Sequence, residues 1–269
     1  MLNRPRDQWQ PAAKEPWVQQ WQRPLRTLFR SSIDFLFPPA CPGCGGEIEP
    51  ATTVSAAWDT RLCAACRREV PTDRTACPRC AAPVGPHLQN ESQCTHCCRD
   101  TFAFEKVYSL GGYDGALKKW VLRIKEAGGE PLATSLAGEA AARWLAIWQS
   151  LGINAIVPVP RHWTKRITHL HEAPLSLGRM LGRHLEIPQV TIRKTKRTPS
   201  QATLTPTQRR ENLRGVFVAD RRTCVGKKIL IVDDLLTTGT TAHRVSLALK
   251  AAGAEKIWVF SVARAIGFQ

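Results

Sequence analysis

The sequence predicts an α/β fold, a parallel sheet flanked by helices, preceded by a small module held together through its cysteines. Two observations carry this reading. Between residues 107 and 263, short apolar segments rich in β-branched residues alternate with helical stretches, the pattern of βαβ units joined by right-handed crossovers. Ahead of them, eight of the ten cysteines fall into four pairs, each pair separated by two residues. Three segments are expected on these grounds: a tail and short helix over 1–40, the cysteine module over 41–100, and the α/β domain over 101–269.

A length of 269 residues accommodates one medium domain and a small one. Hydrophobic content of 43% supports a real core, and 22% charged residues is ordinary. The net charge of +16 is unusual and uneven. Between Arg161 and Lys228, 16 Lys/Arg face only Glu172, Glu186, Glu211 and Asp220, a surplus of +12. Such a surplus favours phosphate-rich partners, either nucleic acid or a phosphorylated small molecule. Met1 to Glu15 lacks the apolar centre of a signal peptide, and nowhere do about 18 apolar residues run together. A soluble, cytoplasmic protein with no membrane span is expected. Thiols stay reduced in that compartment, so the cysteines point to metal rather than disulfides.

In chain order, residues 1–22 are rich in Gln, Trp, Pro and Arg without periodicity, which predicts poor order. Leu25, Leu28, Phe29, Ile33, Phe35, Leu36 and Phe37 suggest an amphipathic helix ending at Pro38-Pro39. The pairs follow: Cys41/Cys44, Cys63/Cys66, Cys77/Cys80 and Cys94/Cys97. Two residues between thiolates let one turn supply two ligands to a tetrahedral Zn²⁺. Eighteen residues separate the first and second pairs and thirteen the third and fourth, so consecutive pairing into two four-sulfur sites is the simplest assignment. Spacing leaves interleaved pairing open, and His96 and Cys98 stand beside the last pair as alternative ligands. Redox dithiols would want a thioredoxin-like βαβ context that this segment lacks. Closed sites of this kind are structural, because they keep no position for water. Cys224 has no partner in the pattern and is expected simply to pack.

Within the α/β part, Val107 to Tyr113 reads as a strand. Ala116 to Lys125 reads as a helix with Leu117, Trp120, Val121 and Ile124 on one face, stopped by Ala127-Gly128-Gly129. Lys125, at its end, is placed to reach an anion. Thr134 to Leu151 is a helix with Leu136, Ala140, Trp144, Leu145 and Trp148 on its buried stripe. Ile153 to Val159 is a buried strand closed by Pro158-Val159-Pro160, with Arg161, His162, Lys165 and Arg166 following. Pro174 to Leu185 is a helix, Val190 to Arg193 a short strand, and 194–214 a long basic loop. Ile257 to Val262 supplies the last strand.

The most informative stretch runs from Lys228 to Thr241. Ile229 to Val232 suit a strand buried on both faces. Asp233 and Asp234 come next, at the sheet edge where open α/β sheets place ligands. Thr237, Thr238, Gly239, Thr240 and Thr241 then lead into a helix over Ala242 to Ala252. Backbone N–H groups of such a turn can converge on an oxyanion at the positive end of the helix. Carboxylates beside that cradle suit a ribose 5-phosphate, accepting from its hydroxyls directly or through Mg²⁺. An acidic turn before a Thr-capped helix would share part of this pattern, but not its full order.

That order resembles the phosphoribosyl-pyrophosphate (PRPP) motif of type I phosphoribosyltransferases. Taken with the cysteine pairs, Tyr113-x-Gly115, Lys125, Pro158-Val159-Pro160, Gln201, Arg210, Asn212, Gly215 and Phe217, the chain is similar to the ComF competence protein family. The resemblance implies a double zinc ribbon with two structural Zn²⁺ ahead of a type I phosphoribosyltransferase-like sheet, and a place in DNA uptake or utilisation alongside single-stranded DNA and the uptake machinery. It further implies Mg²⁺-PRPP with its 5-phosphate on Thr237 to Thr241, Asp233 and Asp234 as the catalytic pair on the ribose, and Lys125 and Arg161 on the pyrophosphate. One place departs from the family. The run usually reading Arg-Gly-aromatic-Asn-Gln is here His169-Leu170-His171-Glu172-Ala173-Pro174, which favours the competing reading. In that reading the chain is a catalytically inactive zinc-ribbon protein that binds single-stranded DNA and keeps the phosphoribosyltransferase fold. A third reading has the C-terminal domain only sensing PRPP or a nucleotide.

Overall fold

A computed structural model describes residues 39–48, 61–71, 76–84, 94–160, 172–195 and 215–266. The expected tail helix, Arg161 and its basic neighbours, His169 to His171, and Gln201, Arg210 and Asn212 lie outside the described residues.

Four parallel strands form the sheet: β1 (Val107–Gly112), β2 (Ala155–Pro158), β5 (Lys228–Leu236) and β6 (Lys256–Arg264), in the order β1-β6-β5-β2. Central β5 pairs with β6 over its whole length and with β2 from Ala155↔Ile229 to Pro158↔Val232. Its alternate side chains enter opposite cores, as the pleat requires. Leu230 and Val232 join one cluster, Ile229 and Ile231 the other. The first core lies under α2 (Gly115–Arg123), α3 (Glu130–Ser150) and α4 (Ala173–Leu185). The second lies under α6 (Thr240–Ala251). Trp144, Trp148, Tyr108 and Phe260 meet at ring distances of 5.6 to 6.1 Å, fixing α3 on β1 and β6.

Outside the central strand β5, two elements differ most from the sequence expectation. Helix α3 begins at Glu130 rather than Thr134, because Pro131 fits a first turn where its missing N–H costs nothing. Val190 to Arg193 does not extend the sheet. Val190 N–H donates to Ile156 O and Ile156 N–H to Pro188 O across a single bridge beside β2, after which β3 (Arg193–Lys194) leaves to pair antiparallel with β4 (Phe217–Val218). The short helices α1 (Ala64–Arg68) and α5 (Arg221–Cys224) complete the described elements.

Cys41–Gln269 is one compact unit. The cysteine module therefore shares its core with the α/β layers. Cys41, Ile48, Leu62, Cys66 and Val70 join the cluster under α2 and α3, and Trp120 Nε1 donates to Gly43 O at 3.1 Å. The second half of the module forms its own small core of Cys77, Cys80, Ala82, Cys94 and Cys97, against Val84, Phe102 and Ile266. Among the described residues no helix is long and apolar enough to cross a membrane.

Candidate functional site

The cysteines assemble in the consecutive order. Cys41, Cys44, Cys63 and Cys66 gather their sulfurs within 4.8 Å of one another, and so do Cys77, Cys80, Cys94 and Cys97. Across these sets, Cys44–Cys63, Cys77–Cys97 and Cys80–Cys94 are 3.8, 3.7 and 3.8 Å apart. A tetrahedron with Zn–S near 2.3 Å has edges of about 3.8 Å, so both sets fit zinc. His96 and Cys98 are exposed and lie outside the sets. Matching knuckle bonds shape the two sites: Cys41 N–H donates to Gly46 O and Gly45 N–H to Cys41 O, as Cys77 N–H does to Ala82 O and Ala81 N–H to Cys77 O. Burial opposes a thiolate at Cys41, but N–H groups of Cys63, Cys44 and Gly43 outweigh it and bring the thiol to about 7. Burial and the neighbouring thiols push Cys66 well up. Such a set needs a cation before all four sulfurs can ionise together.

Strand β5 positions the acids. Its ladder with β6 continues to Leu236↔Arg264, so Asp233 and Asp234 sit within the strand rather than at its end. Pairing with β6 carries the backbone past the point where the apolar run stops. Asp234 is 7% exposed, and Lys125 Nζ lies 3.5 Å from its Oδ2. Lys125 and Asp234, 109 positions apart in the sequence, thus belong to one site. Asp233 is half-buried, and its Oδ1 accepts from Asp234 N–H at 2.9 Å. Lys125 is delivered by the end of α2 and by the turn after it. A Cβ on Gly129 would lie 2.6 Å from Arg123 O, so only glycine allows the chain to double back there.

After β5, Gly239 adopts φ +76° and opens α6 with no side-chain cap of its own, while Thr240 N–H donates to Thr238 Oγ1 at 3.4 Å; a helix start of this kind is where amide donors gather. Thr238 Oγ1 and Thr240 Oγ1 are 2.8 Å apart and share a hydrogen bond. Val159 N–H donates to Val232 O, so the Pro-Val-Pro segment ends beside Asp233, at the same edge of the sheet.

Four neighbours of this site were not singled out from sequence. Ser261, the register partner of Asp233, is fully buried with no partner for its Oγ among the described residues. His243 Nδ1 accepts from Ala103 N–H at 3.1 Å. Phe102 lies against Gly239, where an added Cβ would meet its ring at 3.3 Å. Arg264 is 4% exposed at the end of β6. An arginine closing an otherwise apolar strand was the only sequence signal among them.

Comparison with known proteins gives two family matches. Residues 32–99 match the Double zinc ribbon domain family and residues 175–266 the Phosphoribosyl transferase domain family. Adenine phosphoribosyltransferase from Saccharomyces cerevisiae overlays with TM-score 0.34 at 17% identity, covering 52% of this chain and 72% of that one; so loose an overlay adds no weight. The class is therefore a double zinc ribbon joined to a phosphoribosyltransferase domain. Within it, the chain is a homologue of DNA utilization protein YhgH and of Competence protein F. It is 25% identical to YhgH of Escherichia coli O157:H7 over 212 residues, 76% of this chain and 91% of that one. Identity is also 25% with Competence protein F of Haemophilus influenzae, over 214 residues, 76% and 90% of the two chains.

Proposed function

We propose that this protein binds Mg²⁺-PRPP, or a closely related phosphoribosyl ligand, and acts in DNA uptake or utilisation, a reading supported by homologues named DNA utilization protein and Competence protein F. The observation that carries the reading is the Lys125–Asp234 ion pair at the same sheet edge as a glycine-opened helix start. One cation, two carboxylates and a cluster of amide donors at one sheet edge suit a ligand bearing hydroxyls between two phosphate groups.

In this assignment Thr237, Thr238, Gly239, Thr240 and Thr241 hold the 5-phosphate. Asp233 and Asp234 accept from the ribose hydroxyls, and Lys125, released from Asp234, meets the pyrophosphate with Arg161. Mg²⁺, carried by the carboxylates and the pyrophosphate, would offset leaving-group charge when bound. The chain's contribution is positioning and fixed charge.

The test is calorimetric titration of zinc-loaded protein with Mg²⁺-PRPP, alongside an assay for released pyrophosphate. Replacing Asp233 and Asp234 with Asn removes two charged acceptors and should weaken binding by at least about tenfold, with the melting temperature held. Unchanged affinity in the double variant would sink the assignment.

One observation favours a second ligand, single-stranded DNA. A groove of about 890 Å³ runs between the 188–193 segment and α5, lined by Arg193, Arg221, Arg222 and Lys227. Its acid, Asp220, is engaged as the helix cap through Arg222 N–H at 2.9 Å. Cations along a groove that form no ion pair among the described residues suit a phosphate backbone.

A further inference from the structure

Arg264 carries a full charge in the interior, yet among the described residues no carboxylate pairs with it. Its Nε donates to Cys80 O at 3.1 Å. Its Nη1 donates to Leu236 O at 3.3 Å and to Ala265 O at 2.8 Å. Carbonyls satisfy the guanidinium's geometry without neutralising it, and a buried charge wants a countercharge. The nearby candidate is the second cysteine set, to which Cys80 belongs. A zinc ion's two positive charges against four thiolates leave that site net negative. Arg264 therefore stands between a negatively charged metal centre and Leu236, the last residue of β5 before the phosphate loop.

Two further contacts run along the same line. Phe102 stacks on Phe104 at 4.6 Å and lies under Arg79, between Cys77 and Cys80 of the second ribbon, at 5.4 Å. Arg79 is itself fixed by its bonds to Cys97 O and Asp100 O. Phe102 thereby backs Gly239, and Ala103 N–H ties to His243 in the first turn of α6. The start, middle and end of the loop each touch the second ribbon or the segment leaving it. The first ribbon touches instead the helix that delivers Lys125, through Trp120 and Arg123 on Gly43 O.

We propose that Arg264 is a positioning residue that couples the metal-loaded second ribbon to the phosphate loop, so that loss of that metal loosens the loop. The proposal rests on the reading of residues 237–241 as a phosphate cradle, but its test does not depend on the ligand. The guanidinium acts through Leu236 O and touches no ligand atom.

The experiment uses full-length, zinc-loaded protein and the variants Arg264→Met and Arg264→Lys. Amide hydrogen exchange is read at residues 237–243 without ligand. Zinc release is read by alkylation of Cys77 and Cys97 against Cys41 and Cys66 under a chelator, and Mg²⁺-PRPP affinity by calorimetry. In Arg264→Met, loop exchange and second-ribbon alkylation should speed by roughly tenfold while the first ribbon stays as in wild type, and PRPP affinity should fall by a similar factor. Arg264→Lys, which keeps the charge and loses the fork, should fall between. Wild-type exchange and alkylation in folded Arg264→Met would overturn the proposal. Absence of PRPP binding by wild type would instead overturn the ligand reading, with exchange and alkylation still deciding the role of Arg264. Should Arg264→Met fail to fold, Phe102→Leu, which unseats the ring behind Gly239, must raise loop exchange or the coupling is refuted.

Discussion

Replacing Gly239 with Ala isolates what the loop asks of its backbone. The residue sits at φ +76°, where a Cβ costs about 1–2 kcal/mol. Alanine also narrows the unfolded ensemble, returning about 0.4–1 kcal/mol. The net backbone cost is therefore about 1 kcal/mol. Packing adds to it, because the new methyl would lie 3.3 Å from Phe102 Cε1, 3.5 Å from Cζ and 3.8 Å from Phe104 Cζ. Phe102 has little room to yield, stacked between Phe104 and Arg79, and overpacking of this kind costs about another 1 kcal/mol. Gly226 provides the reference, since it has φ +68° and nothing within 4 Å of its would-be Cβ. Urea unfolding in zinc-saturated buffer, with unchanged m-values, should give a loss of about 2 kcal/mol for Gly239→Ala and about 1 kcal/mol for Gly226→Ala. Only the first should weaken Mg²⁺-PRPP binding. Equal costs, or wild-type PRPP affinity in Gly239→Ala, would refute the reasoning, because the ring behind the loop would then bear no load.

Two other outcomes are expected. Burial, reinforced by the Arg244 charge and opposed by Asp100, holds His243 below its ordinary value of 6.5. The unfolded chain therefore takes up that proton first, so the contribution of His243 is complete above pH 6.5 and is lost as pH falls from there through the folded value. Melting temperature should drop less between about pH 7.5 and 5.5 in His243→Asn, whose Oδ1 can still accept from Ala103 N–H, and identical slopes would exclude His243 as the titrating group. For the groove, anisotropy with an oligo-dT should show Arg221→Ala/Arg222→Ala binding more weakly, with the slope of log affinity on log salt reduced by about 1.4. A slope unaffected by the pair would place the nucleic-acid contact elsewhere.

How much of this was legible depends on the range of the interaction. Ile229 to Val232 announce a doubly buried strand because a central parallel strand must be apolar on both faces, and the structure buries all four completely. Cysteine pairs announce metal because one turn can supply two sulfurs. Consecutive pairing was the simplest assignment and is the one the structure has, although spacing, which constrains loop length and not direction in space, left the interleaved order open. The extent of β5 was misjudged for a related reason: two aspartates end the apolar pattern, but hydrogen bonding to β6 is indifferent to side-chain polarity and carries the strand to Leu236. The least legible contacts join residues far apart, Arg264 to Cys80 across 184 positions and Ala103 to His243 across 140. No local periodicity encodes them. Yet these are the contacts on which the proposed coupling of the cysteine module to the loop rests, and a description stopping at two adjacent domains would miss them. A ribbon serving only its own fold would not need a buried guanidinium reaching from its knuckle to the last carbonyl before the loop.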